Sequence, residues 1–504
     1  MKFLLLSLLA GLAAALGFAP VGWWPLTILG FAALLWLIEQ APSLRSALAR
    51  GWWFGAGHFV LGLNWIATAF TYQSAMPAWL GWVSVVLLSL YLAVFPAVAA
   101  GLAWRWGRAD RLRLVLVFAA AWIVTEWLRA ALFTGFAWNP AGVSLLPTQV
   151  SRLATLIGTY GLSGVTMLLA GCLLLLLERG MRRAILLFSA LAVATVLAPL
   201  ASPQAPAKPG IRLTIVQPNI GQQDKWEEGF RERNFARLRE LSRSDDSGPR
   251  LLLWPEAAIT DPLEDDRKDP YYRERTFRLQ KEVGALLGPQ DLLLTGGIAF
   301  HSADGERVTS ATNSVFAMDA HGHSLARYDK AHLVPYGEYL PMRPILSRLG
   351  LSRLAPGDID FDAGPGPRTI GIPGLGKVGF QICYEIIFSG QVVDRANRPA
   401  FLFNPSNDAW FGAWGPPQHL AQAQLRALEE GLPVLRSTPT GISAVIDADG
   451  QVLHSLPWQT AGVIDARLPA AKAPTPFARL GNILPLLFAL ILVAIAIALA
   501  RKQR

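Results

Sequence analysis

A carboxylate, an ammonium and a thiol stand out in the middle of this chain. Glu256 lies in LLLWPEAA, Lys330 in RYDKAHLVPYGEYLP and Cys383 in GFQICYEIIF. A base, a cation and a sulfur nucleophile are the parts that acyl transfer through a thioester requires. Taken singly, each has an ordinary alternative. A Glu after a strand is commonly solvated, a Lys in a charged run commonly lies on the surface, and an isolated Cys commonly fills core space. All three fall on one polar stretch bounded by long apolar segments, and that company favours the chemical reading.

Their surroundings support it. Cys383 closes an apolar strand, and YEIIFSGQVVDRANR after it can open a helix. A sharp strand-to-helix turn exposes the side chain near the positive end of the helix, which predicts a thiol pKa below its ordinary value. Glu256 follows Leu251–Trp254 and Pro255, at the carboxyl end of a strand apolar on both faces. Sites in open α/β sheets gather there, and a carboxylate so placed can accept the thiol proton. Lys330 can stabilise the oxyanion of a tetrahedral intermediate.

The elements that must hold these residues begin at Ile211. RLTIVQ, LLLW, DLLLTGGIAF, NSVFAMD, KVGFQIC, AFLFNPS and SAVIDA read as strands, with turns at His321-Gly322 and Asp449-Gly450. Residues 231–244, 271–287 and 417–431 carry apolar spacings of three and four and read as amphipathic helices. Alternating strands and helices predict a layered α/β domain over 211–470, preceded by a Pro/Ala linker, ASPQAPAKPG, at 201–210.

Outside this domain the chain belongs to a membrane. Of 504 residues, 52% are hydrophobic and only 16% charged, where a soluble protein carries about a quarter charged. Apolar runs near 3–18, 23–38, 52–70, 78–103, 113–133, 153–177, 184–200 and 480–500 predict eight transmembrane helices, seven within 1–200 and the last within 471–504. Arg45 and Arg50, then Arg105, Arg108, Arg111 and Arg113, then Arg179, Arg182 and Arg183, and finally Arg501, Lys502 and Arg504 follow alternate runs. The intervening loops 19–22, 71–77 and 134–151 have no Lys or Arg. Positive charge stays on the cytoplasmic side, so both termini are expected inside and the α/β domain outside, in the periplasm. The net charge of +9 is accounted for largely by these loops and needs no nucleic acid.

Cys172 and Cys383 are the two cysteines. One lies in an apolar run and one in the external domain, so no disulfide is expected. The seven histidines show no close ligand pairing beyond His321 and His323, which belong to a turn, and no metal site is expected. Glu126 and Arg129, three apart in the fifth run, share a helix face and are expected to pair, since charge in lipid must face a partner or the bundle interior. His58 and Asn64 in the third run face the same constraint.

WPE, then YDK, then a cysteine after a strand resembles the Glu-Lys-Cys triad of the nitrilase superfamily, and FNPSNDAWFG at 403–412 is also similar to it. With apolar runs on both sides of the domain, the whole chain resembles the apolipoprotein N-acyltransferase family. The resemblance implies a polytopic helical bundle in the inner membrane carrying a four-layer αββα sandwich. It implies Glu256 as general base, Lys330 as stabiliser of the intermediate and Cys383 as nucleophile. Glu338 in VPYGEYLP, Tyr384 and Glu385 beside the nucleophile, and Trp226 in QPNIGQQDKW match supporting or substrate-binding positions.

The activity so implied is ping-pong. Cys383 takes an acyl chain from a phospholipid, with phosphatidylethanolamine the expected donor. The amine of a diacylglyceryl-modified N-terminal cysteine on an apolipoprotein then takes it from the thioester. No cofactor is implied, and a monomeric chain is expected. The resemblance also favours retention of the first apolar run, which could otherwise be read as a cleavable leader. Tyr339–Leu354, rich in leucine and arginine, is expected to be an amphipathic arm at the lipid interface, and Ala409–Trp414 a lid. Two other readings compete. A membrane-tethered carbon–nitrogen hydrolase would resolve the thioester with water, and a transporter or scaffold with a vestigial domain would have lost one of the three residues.

Overall fold

Every apolar run is helical over most of its length. The computed structural model describes residues 1–72, 77–176, 181–203, 210–225, 228–244, 248–349 and 359–502. Trp226, Arg179, Arg504, most of the 201–210 linker and the 350–354 end of the arm lie outside the described residues. The first half comprises α1 (Lys2–Ala15), α2 (Trp24–Glu39), α3 (Leu44–Gly62), the short turn α4 (Ile66–Ala69), α5 (Trp79–Leu92), α6 (Val94–Gly107), α7 (Arg111–Ala131), α8 (Ala154–Leu176) and α9 (Met181–Leu197). Asp110 caps α7, its Oδ1 accepting from Arg113 N at 3.1 Å.

A second unit begins with β1 (Arg212–Gln217). After the turn α10 (Gln222–Lys225) and helix α11 (Arg231–Leu241) come β2 (Leu251–Leu253), β3 (Pro262–Asp265), α12 (Pro270–Gly284), β4 (Leu292–His301), β5 (Ser310–Met318) and β6 (Ser324–Asp329). These strands form one sheet in the order β1-β2-β4-β5-β6, with β3 beside β4; β13 (Gly462–Arg467) closes the other edge on β1. The short turn α13 (Arg343–Leu346) precedes a second sheet, built from β7 (Thr369–Ile372), β8 (Gly376–Phe380), β9 (Phe401–Pro405), β10 (Val434–Ser437), β11 (Ala444–Ile446) and β12 (Val452–Ser455) in the order β12-β11-β10-β9-β8-β7.

The sheets face each other, and Ser437 Oγ on β10 donates to Val216 O on β1 at 3.0 Å. Leu238 of α11 and Val283 of α12 bury against Leu252, Leu293 and Phe316 on the outer face of the first sheet. α14 (Gly415–Glu430) covers the second sheet, which completes helix–sheet–sheet–helix layering. α15 (Pro476–Leu480) and α16 (Ile483–Lys502) return the chain to the apolar helices.

Five helical stretches are long and apolar enough to cross a membrane among the described residues: Trp79–Gly107, Arg111–Ala131, Gln149–Leu176, Met181–Ala201 and Ile483–Lys502. α1 and α2, at 14 and 16 residues, fall short of the roughly 20 residues a bilayer core needs. Over its described residues the expected arm is not one amphipathic helix. Met342 takes φ 47, and only the turns Arg343–Leu346 and Ser347–Leu349 follow. Pro344 falls in the first turn of Arg343–Leu346, where a missing N–H is tolerated, so a helix can begin there but not run through from Tyr339.

α14 is the joint between the two halves, and 13 of its 16 residues are buried. Arg426 and Glu429 pair at 2.7 Å. Glu429 also accepts from Ser389 Oγ at 2.8 Å and from the backbone N–H of Thr159 in α8. That N–H is free for Glu429 because Gly158 breaks α8 with φ 65, and a Cβ there would sit 2.2 Å from the Phe477 ring. Gln418 accepts from Trp138 Nε1 at 2.8 Å and donates to Ala19 O at 3.0 Å.

Candidate active site

Three strand ends converge here. Glu256 lies three residues beyond β2, at a turn where Ala257 takes φ 45. This turn rests on Gly296 of β4, where a Cβ would come within 2.6 Å of Glu256 Cα and Pro255 O. Lys330 directly follows β6, its N–H donating to Asn313 O on β5 at 2.9 Å. Cys383 follows β8 with φ 50, an uncommon conformation for a residue with a side chain. Gln381 keeps the preceding strand in place, its N–H donating to Phe403 O at 3.0 Å.

All three side chains are buried, and they are electrically coupled. Lys330 Nζ lies 3.5 Å from Glu256 Oε1 and 3.0 Å from Glu338. Asn313 Nδ2 donates to both carboxylates, at 2.8 Å each. Burial works against the Lys330 ammonium, but Glu338 and then Glu256 more than offset it, and its pKa is raised. Cys383 is in charge contact with Glu256, Lys330 and Asp408, and the Asn407 N–H points at its sulfur.

The Cys383 thiol does not behave as its position after a strand implied. Burial first, then the Glu256 carboxylate, raise its pKa well above the ordinary value, and Lys330 and the Asn407 N–H only partly oppose them. The expected lowering by a helix terminus fails because the segment after Cys383 is one short 3₁₀ turn, Cys383–Ile387. At rest the sulfur therefore carries its proton, and Glu256 is the carboxylate that could receive it.

Family models match both halves of the chain. One described as the apolipoprotein N-acyltransferase N-terminal domain covers residues 10–172, and one described as carbon-nitrogen hydrolase covers 212–474. The chain is 35% identical to the apolipoprotein N-acyltransferase of Rhodopseudomonas palustris, over 96% of this chain and 92% of that one. It is 36% identical to the protein of the same name from Bradyrhizobium diazoefficiens, over 100% and 95%. The chain belongs to the apolipoprotein N-acyltransferase family. Among solved structures it is similar to Saccharomyces cerevisiae Nit3, a member of branch 10 of the nitrilase superfamily, with TM-score 0.37 and 17% identity over 53% of this chain and 93% of that one.

In this N-acyltransferase family member the residues expected beside the nucleophile separate into distinct positions. Glu385 is a clamp. Its Oε1 accepts from Tyr328 OH at 3.0 Å, Ala331 N at 2.7 Å and His332 N at 3.1 Å, and its Oε2 from Ile382 N at 2.6 Å. One carboxylate thus ties the cysteine turn to the loop carrying Lys330. Burial pushes its pKa up to about 7 against the pull of these N–H donors. Tyr384 reaches the loop that follows α7, its OH donating to Gly135 O at 3.4 Å.

Sequence reasoning missed a second clamp beneath Cys383. His419 of α14 meets Cys383 O through Nε2 at 3.1 Å and Asp408 Oδ1 through Nδ1 at 2.9 Å. Arg436 of β10 holds Asp408 Oδ2 at 2.7 Å. The His419 ring also packs against Trp138, centroids 5.3 Å apart. Arg129, 3.8 Å from Glu126, donates to Trp138 O at 2.9 Å, and Glu126 accepts from Ala141 N at 2.9 Å. The expected pair of charges therefore shapes the loop that supports His419. The expected lid forms a short turn, Asp408–Phe411, with Phe411 packed on Trp65 at 4.7 Å.

Proposed function

We propose that this chain is a phospholipid:apolipoprotein N-acyltransferase working through a thioester on Cys383. The observation that carries the reading is a buried thiol beside a carboxylate and an ammonium, on a turn whose Tyr384 meets the loop that joins α7 to α8. Glu256 takes the thiol proton, and the sulfur attacks an ester carbonyl of a phospholipid such as phosphatidylethanolamine. Lys330 faces the oxyanion that develops. Collapse expels the lysophospholipid alkoxide, which takes the proton back from Glu256, and leaves the thioester. The amine of a diacylglyceryl-cysteine N-terminus then attacks, Glu256 removes its proton, and amide and thiol are released. Glu338 fixes Lys330, Glu385 fixes the cysteine turn, Tyr384 borders the acyl path, and Trp226 is assigned to substrate binding by its match to the family.

In this reading eight helices cross the inner membrane, α1 and α2 being the short ones, and both termini are cytoplasmic. Residues 211–470 form the periplasmic catalytic domain. The test is incubation of the full-length protein with phosphatidylethanolamine and mass spectrometry of the Cys383 peptide. An acyl adduct that Cys383→Ser abolishes is expected, and no adduct would sink the proposal. Adding a lipopeptide with a free α-amine should discharge the adduct to an amide. Discharge to free fatty acid alone would instead favour a hydrolase.

A further inference from the structure

A second lysine reaches this site. Lys225, at the end of α10, is 6% exposed, and its Nζ donates to the backbone carbonyl of Glu256 at 3.1 Å. A buried ammonium normally has a carboxylate partner. Lys330 has two within 3.5 Å, whereas among the described residues no carboxylate forms a salt bridge with Lys225. The charges acting on Lys225 are instead those of Glu256 and Cys383, the two groups between which a proton must pass. Gln222, one turn earlier on α10, accepts from Asn407 Nδ2 at 3.0 Å, and Asn407 is the residue whose N–H points at the sulfur.

Lys225 and Glu256 also line a cavity of ≈ 560 Å³ between α11 and the 255–261 turn. Arg231, Glu232, Arg239, Asp261 and Glu282 are the other charged side chains around that cavity, and Arg231 is paired with Asp261 at 3.1 Å. Charge balance gives Lys225 a purpose. Glu256 and Glu338 against Lys330 leave one negative charge, which a fourth group must neutralise if the cluster is to stay buried.

We propose that Lys225 is a second cation of the active site, balancing the negative charge that passes between Glu256 and Cys383 during acyl transfer. When the S–H proton moves to Glu256, the charge moves to sulfur and then to the ester oxygen. The Lys225 ammonium, 3.1 Å from the Glu256 carbonyl and acted on by the charges of both Glu256 and Cys383, keeps its own proton at neutral pH. Burial lowers the Lys225 pKa to about 8, with Glu256 and Cys383 pulling it back up, so the side chain remains largely charged at neutral pH. This inference rests on the reading of Cys383 as nucleophile.

The test is iodoacetamide alkylation of Cys383 against pH in the full-length detergent-solubilised protein, quantified on the Cys383 peptide. Glu256, Lys330, Asp408 and Lys225 are the charged groups that act on that sulfur, and only Lys225 is altered. Lys225→Gln keeps a donor for the Glu256 carbonyl and removes the charge. At about pH 7, where the Lys225 ammonium is charged, alkylation should be about tenfold slower than in wild type, and the two profiles should converge above about pH 8, where Lys225 gives up its proton. Lys225→Arg should restore the wild-type profile.

A Lys225→Gln profile that superposes on wild type, with an unchanged unfolding transition, overturns the proposal. If the glutamine chain does not fold, Lys225→Met carries the same two outcomes. Iodoacetamide needs neither lipid nor lipoprotein. A shifted profile alongside absent acyl transfer would thus leave the charge assignment standing and remove only the proposed activity.

Discussion

The Glu385 clamp allows a worked prediction, because replacing it by glutamine changes one atom's chemistry and almost no volume. Its carboxylate accepts four hydrogen bonds, three on Oε1 and one on Oε2. A glutamine amide offers one acceptor oxygen and an NH₂. If the oxygen keeps the Lys330 loop, the NH₂ meets the Ile382 N–H, donor against donor. If it turns the other way, the NH₂ faces both Ala331 and His332. Above its pKa of about 7 Glu385 is charged, and hydrogen bonds to a charged group contribute about 1.5–3 kcal/mol, while a buried donor left unmet costs about 1–3 kcal/mol.

The gentler of the two orientations thus loses about 2–4 kcal/mol of tether at Ile382, next to Cys383. The left-handed backbone of Cys383 (φ 50) costs about 1–3 kcal/mol and persists only while its surroundings impose it. Losing the tether removes a comparable amount, so the turn relaxes and the sulfur leaves Glu256. A 2 kcal/mol rise in barrier slows reaction about thirtyfold. Glu385→Gln should therefore slow acyl-adduct formation on Cys383 by at least about thirtyfold, measured by mass spectrometry in the first minutes after adding phospholipid. Adduct formation at the wild-type rate would refute the reasoning, since it would mean that the four hydrogen bonds do not hold the nucleophile.

Three further outcomes are expected. His419→Ala leaves the Cys383 carbonyl without its donor and a cavity beside Trp138, so thermal stability should fall by about 2–4 kcal/mol together with Cys383 reactivity; an unchanged melting transition contradicts this. The raised thiol pKa means that Cys383 stays protonated through neutral pH, so its alkylation in the absence of substrate should keep climbing past pH 9, and a plateau below pH 8 would show a thiolate at rest. Met342 and Ile345, 63% and 59% exposed, are large apolar groups that the described residues leave uncovered. Met342→Asp with Ile345→Asp should reduce phospholipid-dependent adduct formation while leaving iodoacetamide alkylation intact, and equal loss of both would indicate a folding defect instead.

Of the three candidate groups, Glu256 and Cys383 were legible because each follows a strand with a strong apolar signature, which is a local feature, whereas Lys330 follows the polar strand β6 and was legible through its YDK run and the company of the other two. Asn313 was not. It sits inside NSVFAMD as one more residue of a pleat, and only the pairing of β5 with β4, which sets Asn313 opposite Ile298, aims its amide at Glu256 and Glu338. Arg436 hid for the opposite reason, since a charged residue in VLRS argues against the buried strand that it occupies. The edge strands β6, β7, β12 and β13 are short and polar, and sequence alternation alone gave them no weight. The thiol pKa was misjudged because a helix start is visible in sequence and burial is not. The helical runs were legible as runs, but the lengths of α1 and α2 depend on turns that hydropathy does not mark.

α14 has no solvent face of its own, because one side rests on a sheet and the other gives Gln418, Gln422, Arg426 and Glu429 to the helices beneath. Cutting the chain to make a water-soluble enzyme would strip partners from an Arg–Glu pair and two amides at once, and would withdraw Trp138 from behind His419. The excised piece would be expected to precipitate, or to survive with a misaligned sulfur. Biochemistry on this chain therefore calls for the whole polypeptide in detergent or lipid.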